Sequence, residues 1–237
     1  MRLSPEGRVR FGIISPFTDV DFKPSDWRPT AWRKAEGMHY GSVTSSFPSR
    51  KADRGSIFCE STLESDMACL LEVDAAVRTL REQPIGPSWH DGEGWRAGTA
   101  RDFWVETDAG NLLVEVKEAK ELADPEVRWR LQRMALSYRV QGISMVVRSE
   151  RTIRAEPRLG NTCLLYGYAY GEARRLEADV RLLTSRRPGP MTVAEIRSEM
   201  GGDVETLGVL CRLALSGAVE LDMARPIGSA TTVAWSR

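Results

Sequence analysis

Asp102, Glu115 and Lys117 stand in two short apolar stretches, "RDFWVET" and "NLLVEVK". A charged side chain in such surroundings costs free energy unless a partner or a ligand meets it. Two carboxylates brought together repel each other and lose hydration, and a divalent cation relieves both costs. Mg²⁺ prefers hard oxygen ligands, so Asp102, Glu115 and the main-chain carbonyl of Val116 make a suitable set, with Mn²⁺ able to substitute. Lys117, two residues beyond Glu115, could orient an attacking water or stabilise the charge that develops on a scissile phosphate. The order Asp, spacer, Glu-x-Lys is therefore the sequence form of a metal-dependent phosphodiester hydrolase, and Glu64 could reach the same metal from upstream. A Glu-x-Lys triplet by itself is common, and on an exposed strand it is only a weak ion pair.

The elements that must position these residues follow from periodicity. Residues 102–107 and 112–117 read as strands around a turn at 108–111, with a period of two. Leu113, Glu115 and Lys117 then share one face, and Val114 and Val116 the other. Upstream, "SIFCESTLESDMACLLEVD" reads as a helix from about residue 56, with Cys59, Leu63, Met67 and Leu70 as its apolar stripe and Glu60 and Glu64 on an adjacent face. A short segment from Val77 ends at Pro84, and "GPSWHDGEGWRAGTA" is a polar hairpin or loop. Downstream, "DPEVRWRLQRMALSYRVQG" is an amphipathic helix with Asp124 as cap, Pro125 at its first position and Gly142 after its end, followed by an apolar strand, "ISMVVRS". Strand, helix and strand in that order predict an α/β architecture, a mixed sheet flanked by helices.

Residues 1–55 read as an irregular N-terminal arm packed on or leading into the core, with Trp27 and Trp32 among basic residues. Arg33, Lys34, Arg50, Lys51 and Arg54 are candidate contacts to a DNA backbone, an ordinary solvated basic surface being the alternative. "NTCLLYGYAY" looks like the start of another packed element, and residues 173–190 like a charged connecting helix ending in a linker, "TSRRPGP". From 191 to 237, a capping-box pair at Thr192 and Glu195 starts one helix, Asp203 starts a second that stops near Gly217, and two strands follow around a Pro-Gly turn. Helix, helix and hairpin is the order of a small winged-helix-like domain, a module that binds DNA or protein.

The 237 residues, 42% of them hydrophobic, suffice for a normal core in one large domain or in a main domain plus a small one. With 33 basic and 33 acidic residues the chain is not a polycation, so any contact with nucleic acid comes from local patches or is shared with a partner. The four cysteines have no metal-ligand spacing and read as buried small residues in a reducing compartment, and two histidines are too few for a histidine-rich zinc site. The N-terminus has no apolar signal core, and no apolar run approaches the roughly 18 residues of a membrane span, so a cytoplasmic protein with no membrane partner is expected.

In order along the chain, "SRKADRGSIFCESTLESDMACLLEVDAAVRTLREQP", "TARDFWVE", "LLVEVKEAKEL" and "GISMVVRSE" resemble the TnsA-like endonuclease subunits of heteromeric transposases. The likeness covers about residues 45–170, and "GNTCLLYGYA" looks like the Asn-Leu segment that closes the family's nuclease region. The resemblance implies a restriction-endonuclease-like nuclease domain over 56–172. By this match Glu64 falls on the family's helix glutamate, Asp102 on the metal-binding aspartate, Glu115 on the second acidic position and Lys117 on the active-site lysine. Arg101 departs from the family's more usual proline before the aspartate. The resemblance further implies cleavage of double-stranded DNA at transposon ends, with an integrase-like transposase and an ATP-dependent regulator as partners; a homo-oligomer on DNA follows by analogy of fold. Two other readings stay open: a stand-alone restriction-type or phage nuclease, and a non-catalytic adaptor whose core only packs.

Overall fold

A computed structural model describes residues 27–33, 45–170, 174–186, 189–202 and 205–235. Strands β1 (Ser45–Pro48) and β2 (Ser56–Cys59) pair antiparallel and lead into helix α1 (Thr62–Val73). Then come β3 (Val77–Glu82), a hairpin of β4 (Trp89–His90) and β5 (Trp95–Arg96), and the strands β6 (Phe103–Thr107) and β7 (Gly110–Val116). Helices α2 (Ala119–Ala123) and α3 (Pro125–Val140) lead to β8 (Met145–Arg148) and the short α4 (Glu150–Ile153). The remaining elements are α5 (Arg158–Ala169), α6 (Arg174–Arg186), β9 (Met191–Thr192), α7 (Val193–Glu199), α8 (Thr206–Leu215), β10 (Val219–Leu221) and β11 (Thr232–Trp235).

The site is carried by a four-stranded mixed sheet flanked by helices, in the order β3-β6-β7-β8, with β7 and β8 parallel and the other pairs antiparallel. The β6–β7 turn is closed by the Thr107 hydroxyl, which donates to the Gly110 carbonyl at 2.7 Å, and Gly110 takes a φ of 121° that a side chain would oppose. Parallel strands need a crossover, and α3 supplies it. Its start follows from Asp124, whose carboxylate accepts the Glu126 amide at 2.8 Å, and from Pro125 at its first turn; Gly142 at φ 73° follows its end. Trp104, Leu113, Met145 and Val147 on one sheet face pack with Leu131, Met134 and Tyr138 of α3 and Leu122 of α2. The alternate residues Phe103, Val105, Val114 and Val146 point the other way and are also buried, which is why these strands are apolar at nearly every position.

The helix expected from residue 56 begins at Thr62. Ser56–Cys59 is a strand instead, because Ile57 and Cys59 alternate inward against β1 and so cannot continue a helical stripe. Part of the region read as an irregular arm is likewise β1. Trp27 rests edge-on against Trp104 with ring centroids 5.5 Å apart. Three further expectations change in detail. Cys163 is exposed, on the side of α5 away from buried Thr162 and Leu165, while Cys59, Cys69 and Cys211 are buried. Helix α6 runs on through Thr184 to Arg186, into the stretch read as linker. The β10–β11 connection spans residues 222–231, wider than a tight Pro-Gly turn. Helix α8 starts at Thr206, and Asp203 lies outside the described residues.

The chain divides into two compact units, one holding β1 to β8 with Ala76–Ala155 at its centre, the other formed by Val73–Ala75 and Glu156–Arg237. The second unit takes in α5, which the sequence grouped with the preceding region. Its sheet runs β10-β11-β9, antiparallel throughout, over a core of Leu165, Val180, Ile196, Leu210, Leu213, Val219 and Val233. Thr192 and Glu195 form the expected capping box, the Thr192 hydroxyl accepting the Glu195 amide at 3.2 Å and the Glu195 carboxylate accepting the Thr192 amide at 2.7 Å. Gly208 lets α8 approach α5, since a Cβ there would lie 2.7 Å from the Tyr168 ring. No helix among the described residues is long and apolar enough to cross a membrane.

Asn161 locks the β10–β11 connection. Its side-chain amide donates to the carbonyls of Met223 at 3.2 Å and Arg225 at 2.8 Å, and its carbonyl accepts the Ile227 amide at 2.8 Å. Asn161→Ala leaves these buried groups unpaired and should cost about 2–4 kcal/mol. The check is urea denaturation together with hydrogen exchange, with faster exchange expected in residues 219–235.

Candidate active site

The β6–β7 register pairs Phe103 with Val114, so Asp102 and Glu115 occupy the next step of the hairpin. Gln83, just after β3 with a left-handed φ of 55°, donates its amide to the Asp102 carbonyl at 3.1 Å. The Asp102 carboxylate accepts the Val116 amide at 2.5 Å across the hairpin. Lys117, just past the end of β7, is held by β8, its amide donating to the Arg148 carbonyl at 2.9 Å. Its ammonium lies 3.3 Å from Glu115 Oε1. Asp102, Glu115 and Lys117 thus come together at one end of the sheet, as their spacing predicts.

Glu115 is 5% exposed and has two cationic neighbours. The second is Arg101, whose Nη1 stands 3.1 Å from Glu115 Oε2. That approach lacks hydrogen-bond alignment, and Oε2 is a buried acceptor with no hydrogen bond among the described residues. Arg101 also donates through Nε to the Thr99 carbonyl at 3.3 Å and through Nη2 to the Thr99 hydroxyl. Sequence reasoning missed this residue, treating it only as a lost proline. The available signal was Glu115 itself, since a carboxylate buried in an apolar strand calls for a cation.

Asp102 has less compensation. Burial, then repulsion from Glu115 and Glu64, pushes its carboxyl well above the usual range, with the Val116 amide and Lys117 only partly offsetting this. Burial pulls the Lys117 ammonium down, but Glu115 and Asp102 outweigh it and the net shift is upward. Glu64 sits in the first turn of α1 with its carboxylate turned onto its own helix start. It accepts the Glu60 amide at 2.8 Å and the Ser61 hydroxyl at 3.1 Å, while the Ser61 hydroxyl accepts the Glu64 amide. Burial raises the Glu64 carboxyl, and these two hydrogen bonds lower it in part. Ser61-x-x-Glu64 is therefore a helix-start signature that the sequence displayed and the reading passed over.

Glu64, Val116 and Lys117 line a cleft of about 420 Å³ with Ser61, Thr62, Leu63, Glu118, Glu121, Glu150 and Arg154. Among the described residues, no group of three His, Cys, Asp or Glu side chains stands ready to hold a metal ion. What the geometry offers is buried Glu115 beside half-buried Asp102 and the Val116 main chain, with Glu64 engaged on its helix. Hard oxygens, mutual repulsion and the unbonded Glu115 Oε2 match the needs of a divalent cation.

The basic candidates near the N-terminus divide by their contacts. Arg33 donates to the Glu60 carboxylate and to the Gln83 side chain, each at 2.7 Å, and the Lys51 ammonium donates to the Leu71 carbonyl at 2.9 Å. Arg50 and Arg54 are exposed, and Arg54 shares a second cleft of about 420 Å³ with Trp32, Arg33 and Arg81. Lys34 lies outside the described residues.

The raised Asp102 carboxyl ties stability to pH. The folded protein holds this proton more tightly than the unfolded chain, so the stability it contributes is complete below the ordinary value of 3.8 and is lost as pH climbs toward the raised one. Asp102→Asn keeps an acceptor for the Val116 amide and removes the charge. It should therefore melt above the wild type at pH 7 without metal, and the gap should shrink as pH falls to 4. Melting curves across that range check this; a variant that melts lower at every pH would contradict it.

A comparison of the chain with protein-family models finds no match, and a search of curated proteins finds none either.

Proposed function

We propose that this chain is a metal-dependent DNA endonuclease subunit with a restriction-endonuclease-like core, of the TnsA-like kind, cutting double-stranded DNA at transposon ends. The observation that carries the reading is the mutually repelling pair of half-buried Asp102 and buried Glu115, with the Lys117 ammonium 3.3 Å from Glu115. Asp102 and Glu115, with the Val116 carbonyl, would hold Mg²⁺ or Mn²⁺. Such an ion supplies Lewis-acid polarisation of a phosphate and a more acidic bound water. Lys117 reaches the cleft beside the pair, where its charge can orient a water or stabilise a phosphate oxygen as negative charge builds there. Glu64 organises the start of α1 on the same cleft and adds to the negative potential felt by Asp102. The rim also carries Glu118, Glu121 and Glu150, so a phosphodiester enters favourably only once cations offset those carboxylates.

The second compact unit, with α7 and α8 followed by the β10–β11 pair, supports a winged-helix-like reading, and such a module would contact DNA or a partner. The partners proposed are an integrase-like transposase and an ATP-dependent regulator. The near balance of basic and acidic residues favours recruitment by them over independent DNA binding. One observation favours a different class of function: Arg101 and Lys117 already answer the charge of Glu115, as they would in an adaptor whose core only packs.

Calorimetric titration of Mn²⁺ separates the two. The nuclease reading expects Asp102→Ala and Glu115→Ala to bind Mn²⁺ about tenfold more weakly or worse while circular dichroism shows them folded. Lys117→Ala should keep Mn²⁺ binding and lose about 10²–10³-fold of the DNA cleavage rate measured with the partner transposase present. Mn²⁺ binding that is absent even with duplex DNA added, or unchanged in both carboxylate variants, would leave the adaptor reading in its place.

A further inference from the structure

We propose that Arg101 is a positioning residue that stands in for the divalent cation, its guanidinium holding the Glu115 carboxylate until a metal ion displaces it, so that Arg101 sets the metal affinity of the site. The proposal rests on the metal-site reading above and concerns how that site is kept before the ion arrives.

Both side chains are almost out of solvent, 8% exposed for Arg101 and 7% for Glu115, so water cannot take over the role of counter-charge. Arg101 Nη1 faces Glu115 Oε2, while Lys117 faces the other oxygen, Oε1. An ion that takes Oε2 therefore need not disturb Lys117. The guanidinium is also not firmly clamped. Its approach to Glu115 lacks hydrogen-bond alignment, and among the described residues its other side-chain hydrogen bonds are both to Thr99, two residues back, with the Tyr138 hydroxyl near enough to feel its charge. The Arg101 main chain is fixed separately, through its amide to the Pro84 carbonyl at 2.8 Å, so a displacement of the guanidinium need not move Asp102.

Arginine suits this role in a way lysine does not. A guanidinium is planar and weakly hydrated, so it can rest against a carboxylate in a dry site and give way to an ion by moving aside. A divalent ion at Glu115 would repel it, and until then it suppresses the repulsion between Glu115 and Asp102. It competes with the metal for the same oxygen.

Arg101→Met removes the charge and keeps most of the length. The variant should melt below the wild type without metal, because Glu115 loses a buried partner, yet bind Mn²⁺ about tenfold more tightly or better and gain more in melting temperature on Mn²⁺ saturation. A merely structural role predicts the reverse, a loosened site that binds the ion more weakly. Arg101→Gln, which retains a donor for Thr99, gives the same reading if Arg101→Met does not fold. Wild-type Mn²⁺ binding with unchanged or weaker affinity in the folded variant overturns the competition and leaves the metal-site reading standing. No Mn²⁺ binding by wild type or variant overturns both.

Discussion

A carboxylate held away from water on an apolar strand has to be answered by positive charge, and the Asp102–Glu115 pair sets that requirement for everything around it. Glu115 is answered twice, by Arg101 and by Lys117. Asp102 is answered mainly by one main-chain amide, that of Val116, and its carboxyl is pushed upward as a result. Such an arrangement is costly for a purely structural core, because apolar residues of similar size would pack there without desolvating charge. The cation and phosphate proposed for the site would supply the partners it lacks.

The architecture follows from keeping that pair in register. A short turn closed by Thr107 and Gly110 fixes β6 against β7, and a one-residue slip would send Glu115 to the opposite face. The crossover through α3 returns the chain as β8, parallel to β7, whose end holds the Lys117 main chain. Burial on both faces of the sheet keeps the local dielectric low, which strengthens each electrostatic contact and raises the cost of any that is left unmade. Glu64 enters the same field through the start of α1, while its oxygens serve the helix end.

Features encoded within a few residues were legible in the sequence. The alternation around Glu115, the Asp124-Pro125 start of α3 with Gly142 beyond its end, and the Thr192–Glu195 capping box all express local backbone chemistry, and the structure has them. Features that depend on a distant partner were not. "SIFC" is too short to separate strand from helix by period, and the strand that decides it, "SSFP", sits in a stretch that reads as irregular. Arg101 and Glu115 are 14 positions apart and meet only because of the hairpin register, so the local sequence around Arg101 does not reveal that it brings a buried cation to the site. Glu64 was legible as an acidic residue on the correct helix. Its engagement at the helix start required noticing Ser61 three residues before it.

The most direct test of the central claim is anomalous diffraction from crystals of the full chain soaked in Mn²⁺. The account predicts a manganese peak bonded to the carboxylates of Asp102 and Glu115. Manganese bound elsewhere, or no peak at this pair while Asp102 stays on the Val116 amide and Glu115 on Arg101, would contradict it.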